Sequence, residues 1–255
     1  MCRLVAYVGA PIFPAALLAG KGGLIAQSLA AREAKTVVNG DGCGLGWYGE
    51  LDEPGLYRGI RPAWSDPNLA SLCRQVRTRL FCAHIRSATS GEVSVANCHP
   101  FAAGRHLFMH NGQVGGYDRV RRQLEALITD EHYSLRRGTG DSETIFLAAL
   151  ARGLDRDPIA AISRTLADIA NRMADTGVRQ ALRFAAVYTD GQTLWAYRWS
   201  SDTKPPTLYW RHTNAGVVVV SEPMDNGNWN EIKPGSVLTA TIDAKVRTER
   251  LLVAA

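Results

Sequence analysis

The first group in this sequence able to do covalent chemistry is the thiol of Cys2. Were Met1 removed, Cys2 would carry a free α-amine and a thiol on one residue. An α-amine titrates near about 7.7–8.0, so part of it is an unprotonated base at neutral pH, while a free cysteine titrates near about 8.5. A base beside a nucleophile is the minimum equipment for covalent catalysis, and an N-terminal residue holds both without a triad. Taken alone, a cysteine at the second position is better explained as a small apolar residue.

Four later stretches carry groups that such a nucleophile could use. In HIRSATSG (84–91), an arginine at a strand end can hold a carboxylate by two parallel hydrogen bonds; an ordinary surface arginine is the competing reading. NCHPF (97–101), with Cys82, His84 and His110 close in sequence, raises a metal site. The spacings match no zinc pattern, so no metal is expected. In HNG (110–112), a side-chain amide and a glycine N–H could place two donors on one small volume, as an oxyanion requires. The same Asn111-Gly112 pair is also a strong turn signal. GDSE (140–143) sets a carboxylate at a helix start. Asp141 could cap that helix, worth about 1 kcal/mol, or receive an ammonium group.

Residues 2–9 read as a strand beginning at the terminus, which anchors Cys2 in a sheet. LIAQSLAA (24–31) fits helix and strand equally. NGDGCGLGWYG (39–49) holds five glycines in eleven residues, a density that implies positive φ angles or close backbone approach, and it runs into an aromatic strand. Residues 52–68 read as loop. A helix follows over about 67–78, with Asp66 and Pro67 as cap and first turn. A strand covers 80–85, and another covers 106–110 and is closed by the Asn-Gly turn. An amphipathic helix is expected over 117–127, and further helices over 141–152 (Asp141 as N-cap; Ile145, Leu147, Ala148 and Leu150 spaced for burial) and about 158–175. RFAAVYTDGQTLWAYRW (183–199) is a hairpin with Asp190-Gly191 at its tip, and GVVVVSEP and SVLTATID continue the sheet. Strands, helices, then strands again give one α+β domain over 1–255.

Composition narrows the function classes. With 46% hydrophobic and 21% charged residues in 255, the chain reads as globular and able to bury a large core. The net charge of +5 comes with scattered arginines, so no nucleic-acid footprint is present. Five cysteines without a CxxC pair argue against a disulfide framework and for a reducing, cytoplasmic setting. The apolar stretch from Leu4 to Leu18 is broken by Pro11 and Pro14, and no run reaches the roughly 18 apolar residues of a membrane span.

Taken in order, Cys2, HIRSATSG, NCHPF, HNG and GDSE resemble the motifs of the class II (N-terminal nucleophile) glutamine amidotransferases, over about residues 1–150. The resemblance implies a four-layer αββα sandwich with mostly antiparallel sheets, and no cofactor. It implies that Cys2 is the nucleophile and its own amine the base. Asn111 and the Gly112 N–H would form the oxyanion hole. Arg86 would bind a glutamyl α-carboxylate, with Thr89 and Ser90 lining the same site. Asp141 would bind the α-ammonium, and His99 would shape the wall. The implied reaction is attack on a γ-glutamyl amide, a γ-glutamyl thioester, and hydrolysis to glutamate.

Two positions depart from the family pattern: Cys43 stands where DGWG carries an aromatic, and Gly140 where Ser or Thr is more common. AQSLAAREA, DGCGLGWYG and PAWSDPNLASL look like the small branch that contains the ergothioneine-pathway γ-glutamyl hydrolase. In that branch Trp47, Tyr48 and Trp64 could line the acceptor side. The expected substrate is a γ-glutamyl small molecule or glutamine, with a homodimer or an ammonia-accepting partner as possible assemblies. Two alternatives accompany this reading: a glutaminase subunit feeding a separate synthase, and a non-catalytic binding module of the same fold.

Overall fold

The computed structural model describes residues 2–31, 37–87 and 92–254. The chain opens with strand β1 (Arg3–Ile12), two short helices α1 (Ala15–Leu18) and α2 (Leu24–Leu29), then β2 (Cys43–Trp47) and β3 (Gly55–Gly59). Helix α3 (Pro67–Gln75) leads into β4 (Thr78–Ile85), and β5 (Phe101–Ala103) turns back through β6 (His106–Val114). Four helices follow: α4 (Tyr117–Glu125), α5 (Asp130–Tyr133), α6 (Asp141–Ala151) and α7 (Pro158–Asp175). The hairpin β7 (Leu182–Thr189) and β8 (Thr193–Ser200) is followed by β9 (Tyr209–His212), β10 (Gly216–Val220), β11 (Asn230–Glu231), β12 (Ser236–Thr241) and β13 (Val246–Arg250).

These strands form two sheets, ordered β11-β9-β10-β1-β4-β2-β3 and β13-β12-β8-β7-β6-β5, with antiparallel pairing throughout. Strand alternation sorts their side chains into three cores, because successive residues point to opposite faces. Leu4, Ala6 and Val8 of β1 meet Met109, Val187, Ala196 and Leu238 between the sheets. Val5 and Tyr7, one step out of phase, face Leu18, Leu24 and Leu69 of the first three helices. On the far side Phe108, Phe184 and Tyr188 pack against Val120, Ile145, Phe146, Ile162 and Ile169. Three cores separate four layers, so the fold is the αββα sandwich. A slip of one residue in β1 would exchange two of these cores, which ties the register to burial.

Helix α6 is buried on every side from Ser142 to Leu150, as expected of a helix apolar all round. The amphipathic α7 covers it. Asp66 caps α3 as the sequence indicates, accepting from the N–H groups of Asn68 (3.0 Å) and Leu69 (3.1 Å). Residues 24–29 are helical.

Three expectations are corrected. Residues 52–68 contain a strand, β3, whose glycine ends and edge position hide it in a loop-like composition. Asn111-Gly112 does not close a hairpin: β6 runs through both, with Asn111 opposite Ala185 and Gly112 opposite Phe184. Asp141 is not the N-cap of α6. Gly140 holds that place without a side-chain cap, and the Asp141 carboxylate is engaged elsewhere.

Candidate active site

Antiparallel register places Cys2. Arg3 pairs with Ile85, so the residue before β1, Cys2, lies across from the residue after β4, Arg86. Cys43 of β2 pairs with the same Ile85, which brings the glycine-rich loop to the other side of Arg86. The Arg86 N–H donates to the Gly42 carbonyl (2.8 Å), and the Asp41 N–H donates to the Arg86 carbonyl (3.1 Å). Gly42 has φ +116°, and a Cβ there would lie 2.7 Å from both Cys98 Sγ and the Gly59 carbonyl, so only glycine fits without displacement. Cys43 itself is buried toward the first three helices, its Sγ 3.8 Å from Asp66 Oδ2.

Cys2 is half-buried. The Ser87 N–H donates to its sulfur at 3.3 Å, and the thiol in turn lies 3.5 Å from the Ser87 carbonyl. The next residue, Arg3, is buried and paired with buried Glu222 at 2.5 Å, which with Leu4 N–H to Ser221 Oγ (3.1 Å) pins the start of β1.

The second sheet supplies Asn111. Alternation sends Met109 and Asn111 toward the first sheet, and Phe108 and His110 toward the helices. Asn111 Nδ2 donates to the Cys2 carbonyl at 3.0 Å, and its Oδ1 meets His84 Nε2 at 3.1 Å, so one amide joins both sheets behind the thiol. His110 Nδ1 lies 2.8 Å from Ser142 Oγ and its Nε2 3.2 Å from the Arg183 carbonyl. A Cβ on Gly112 would stand 2.0 Å from that same Arg183 oxygen. This glycine serves close approach of strands, not a turn.

Asp141 opens α6 and is tied to the end of β6: its Oδ2 accepts the Val114 N–H at 2.8 Å, and its Oδ1 lies 3.3 Å from Ser142 Oγ. Two residues on, buried Glu143 braces the preceding loop by accepting the N–H groups of Arg137 (3.0 Å) and Gly138 (2.7 Å). Asn97 Oδ1 accepts the Thr139 N–H at 2.8 Å. The GDSE motif therefore positions its own loop as well as presenting a carboxylate.

Cys2, Arg86, His99, Gly112 and Asp141 line one cavity of about 370 Å³, within the usual range for small-molecule sites. Asn111 stands behind it. Thr89 and Ser90 lie outside the described residues. Trp47, Tyr48 and Trp64 are not in the lining, which corrects the acceptor-side expectation. Trp47 packs toward the first helices, Tyr48 against the inter-sheet core with its hydroxyl donating to the Arg105 carbonyl (2.6 Å), and Trp64 lies exposed beside Gly40. The outer lining comes instead from Gln113, Tyr117, Asp118, Gln180, Arg183 and Lys204, residues scattered over ninety positions with no motif to announce them.

Burial dominates the titrating groups here. It pushes the Cys2 thiol up, against the Ser87 N–H and the nearby Arg86 and Arg3 guanidinium groups. It drives His84 down to about 3 and His99 well below the usual imidazole range, so both rings are neutral. His110 is also lowered by burial, opposed by Asp141. The His99 ring lies 4.2 Å from His84 and edge-on to Phe101 at 4.6 Å, and neither of its nitrogens has a hydrogen-bond partner among the described residues. Among those residues no three His, Cys, Asp or Glu side chains converge as metal ligands, and no helix is long and apolar enough to cross a membrane.

Comparison with known proteins gives concordant matches. A family model described as class-II glutamine amidotransferases matches residues 23–204. Gamma-glutamyl-hercynylcysteine sulfoxide hydrolase of Mycolicibacterium smegmatis is 33% identical over 96% of this chain and 98% of its own length. Probable glutamine amidotransferase DUG3 of Saccharomyces cerevisiae is 31% identical over 98% of this chain and 72% of its own length. Among solved structures, a glutamine aminotransferase class-II domain protein from Silicibacter pomeroyi superposes with a TM-score of 0.81 at 39% identity, each chain fully covered. The Bacillus subtilis glutamine phosphoribosylpyrophosphate amidotransferase shares the fold at TM-score 0.65 and 14% identity, this chain covering half of that one.

Proposed function

The chain belongs to the class II glutamine amidotransferases, and from that premise we propose that it hydrolyses a γ-glutamyl amide through a thioester on Cys2. One observation carries the reading: the thiol, a guanidinium and a carboxylate share a single cavity of about 370 Å³. A glutamyl head is a zwitterion, so it needs one cation and one carboxylate at fixed separation. Arg86 meets the α-carboxylate and Asp141 the α-ammonium, which aligns the γ-carbonyl with Cys2 and converts attack into an intramolecular event.

After loss of Met1, the Cys2 α-amine takes the thiol proton as Sγ adds to the γ-carbonyl. The oxyanion is met by the Gly112 N–H and by Asn111 Nδ2, whose second hydrogen is not required by the Cys2 carbonyl. The C–N bond breaks, and the amine leaves with the proton returned by the α-ammonium. Water then adds to the thioester and releases glutamate, restoring the thiol. Neutral His99 forms the wall beside the head. The whole of residues 2–255 acts as one domain.

For substrate, the near-complete mutual coverage with the Mycolicibacterium smegmatis hydrolase supports a γ-glutamyl small molecule of the ergothioneine-pathway kind over glutamine feeding a synthase. Five free cysteines fit a cytoplasmic setting. The test combines intact mass, to detect removal of Met1, with glutamate release from a panel of γ-glutamyl amides and glutamine. The expected result is a processed chain whose glutamate release disappears in Cys2→Ala. Release that persists in that variant would refute the nucleophile. Turnover of glutamine that appears only with a second protein present would instead favour the glutaminase-subunit reading.

A further inference from the structure

The cavity's head-group anchors are Arg86, which is buried, and Asp141, which is half-buried. The outer lining contains two cations, Arg183 and Lys204, and one exposed carboxylate, Asp118. The two cations differ in availability. Arg183 is spent on Asp202, with Nη2 to Oδ2 at 2.7 Å and Nε to Oδ2 at 3.2 Å. Lys204 has no carboxylate within ion-pair distance among the described residues.

The backbone that carries Lys204 is held from both sides. Asp202 Oδ1 accepts the Lys204 N–H at 3.0 Å and the Ser200 hydroxyl at 2.6 Å. Immediately after it come Pro205 and Pro206, whose φ angles the rings restrict. The Pro206 carbonyl accepts from buried Arg198 Nε at 2.7 Å, and Arg198 is paired in turn with Glu231 at 2.5 Å. An ammonium on a flexible stem is thus mounted on a braced loop at the cavity's outer lining. Gln113 and Gln180, both exposed in the same lining, add neutral hydrogen-bonding groups.

With the glutamyl head held by Arg86 and Asp141, whatever is attached to the γ-nitrogen extends into this outer part. Free glutamine places nothing there. An amine that itself bears a carboxylate, as an amino acid or short peptide does, would bring a negative charge to Lys204, while Asp118 would repel that charge from its own side. We infer that Lys204 is a specificity-determining residue of a leaving-group subsite that selects γ-glutamyl derivatives of carboxylate-bearing amines over free glutamine. The inference rests on the γ-glutamyl hydrolase reading above.

The test uses two probes of equal length, γ-glutamyl-glycine and γ-glutamyl-glycinamide, which differ in the leaving group's charge. Wild type is expected to favour the carboxylate probe in kcat/KM by about fivefold at low ionic strength, the scale of an exposed ion pair. At 1 M salt, where the screening length shrinks to about 3 Å, the preference collapses. Lys204→Arg keeps the preference and Lys204→Glu inverts it. A probe ratio that stays the same in Lys204→Glu overturns the inference and leaves the Cys2 chemistry standing. Wild type that cleaves neither probe, nor any other γ-glutamyl amide, removes the hydrolase reading and this inference with it.

Discussion

The backbone N–H of Ser87 points at the sulfur of Cys2 from 3.3 Å. That contact favours a thiolate, but burial outweighs it and keeps the thiol's pKa above its ordinary value. At neutral pH the sulfur is therefore protonated and needs a base, which the proposal assigns to its own α-amine. The expected kcat/KM for glutamate release rises with pH through the amine's range, about 7.7–8.0, and falls away on the acid side where the amine is charged. A rate that is flat across this range would exclude the amine as base.

Arg86, just after β4, and Asp141, at the start of α6, are distant in the chain yet line the same cavity. Hydrogen bonds to charged groups are worth about 1.5–3 kcal/mol, so Arg86→Ala should lower kcat/KM by about tenfold to a hundredfold, mostly through KM. At Asp141 the alanine variant also strips an acceptor from the Val114 N–H. Asp141→Asn keeps an acceptor there and removes the charge, and the same loss is expected from it with little change in thermal stability. Unaltered kcat/KM in both variants would mean that the zwitterion is gripped elsewhere.

Much of this arrangement was legible in the sequence, because it lies in local patterns. The β-rich run of 2–9, the Asp66-Pro67 helix start and the Asp190-Gly191 hairpin are each dictated by neighbouring residues. What stayed hidden depends on partners distant in the chain. Gly112 carries the signal of a turn, but the Arg183 carbonyl opposite it decides that it is a strand residue. Asp141 looks like a cap until the end of β6 claims its carboxylate. The β7–β8 hairpin is legible, but no motif announces that the loop after it carries Lys204 into the cavity lining. The aromatics of the glycine-rich stretch failed as pocket residues because sheet alternation turned Trp47 and Tyr48 into cores.

Gly112 gives a sharp steric prediction. An added methyl would sit 2.0 Å from the Arg183 carbonyl and 2.5 Å from His110 Nε2, and neither backbone nor buried ring can yield cheaply. Gly112→Ala should cost about 1–3 kcal/mol of stability, the usual range for overpacking, and should abolish glutamate release by moving the N–H assigned to the oxyanion. Denaturant unfolding and activity measured on the same sample check both. Full activity in a destabilised protein would show that this N–H plays no part in the chemistry.

Three neutral histidines behind and beside the thiol make the fold acid-sensitive. His84 titrates at about 3, and His99 and His110 are also depressed below the ordinary value, whereas in the unfolded chain each would titrate near about 6.5. Above that value neither state binds these protons, so they contribute no pH dependence. Below it the unfolded chain takes up protons that the folded protein refuses, and stability falls as pH falls, by up to about 1.4 kcal/mol per pH unit for each histidine. The interval from about 6.5 to about 5 isolates this effect from carboxylates, which titrate near about 3.9–4.3. Urea unfolding across that interval should show a steep loss in wild type. In His99→Phe, which keeps the ring's bulk beside His84 and Phe101, the slope should flatten by one histidine's share. An unchanged slope would mean that the ring is already protonated in the folded state, and with it would go the neutral wall assigned to the glutamyl site.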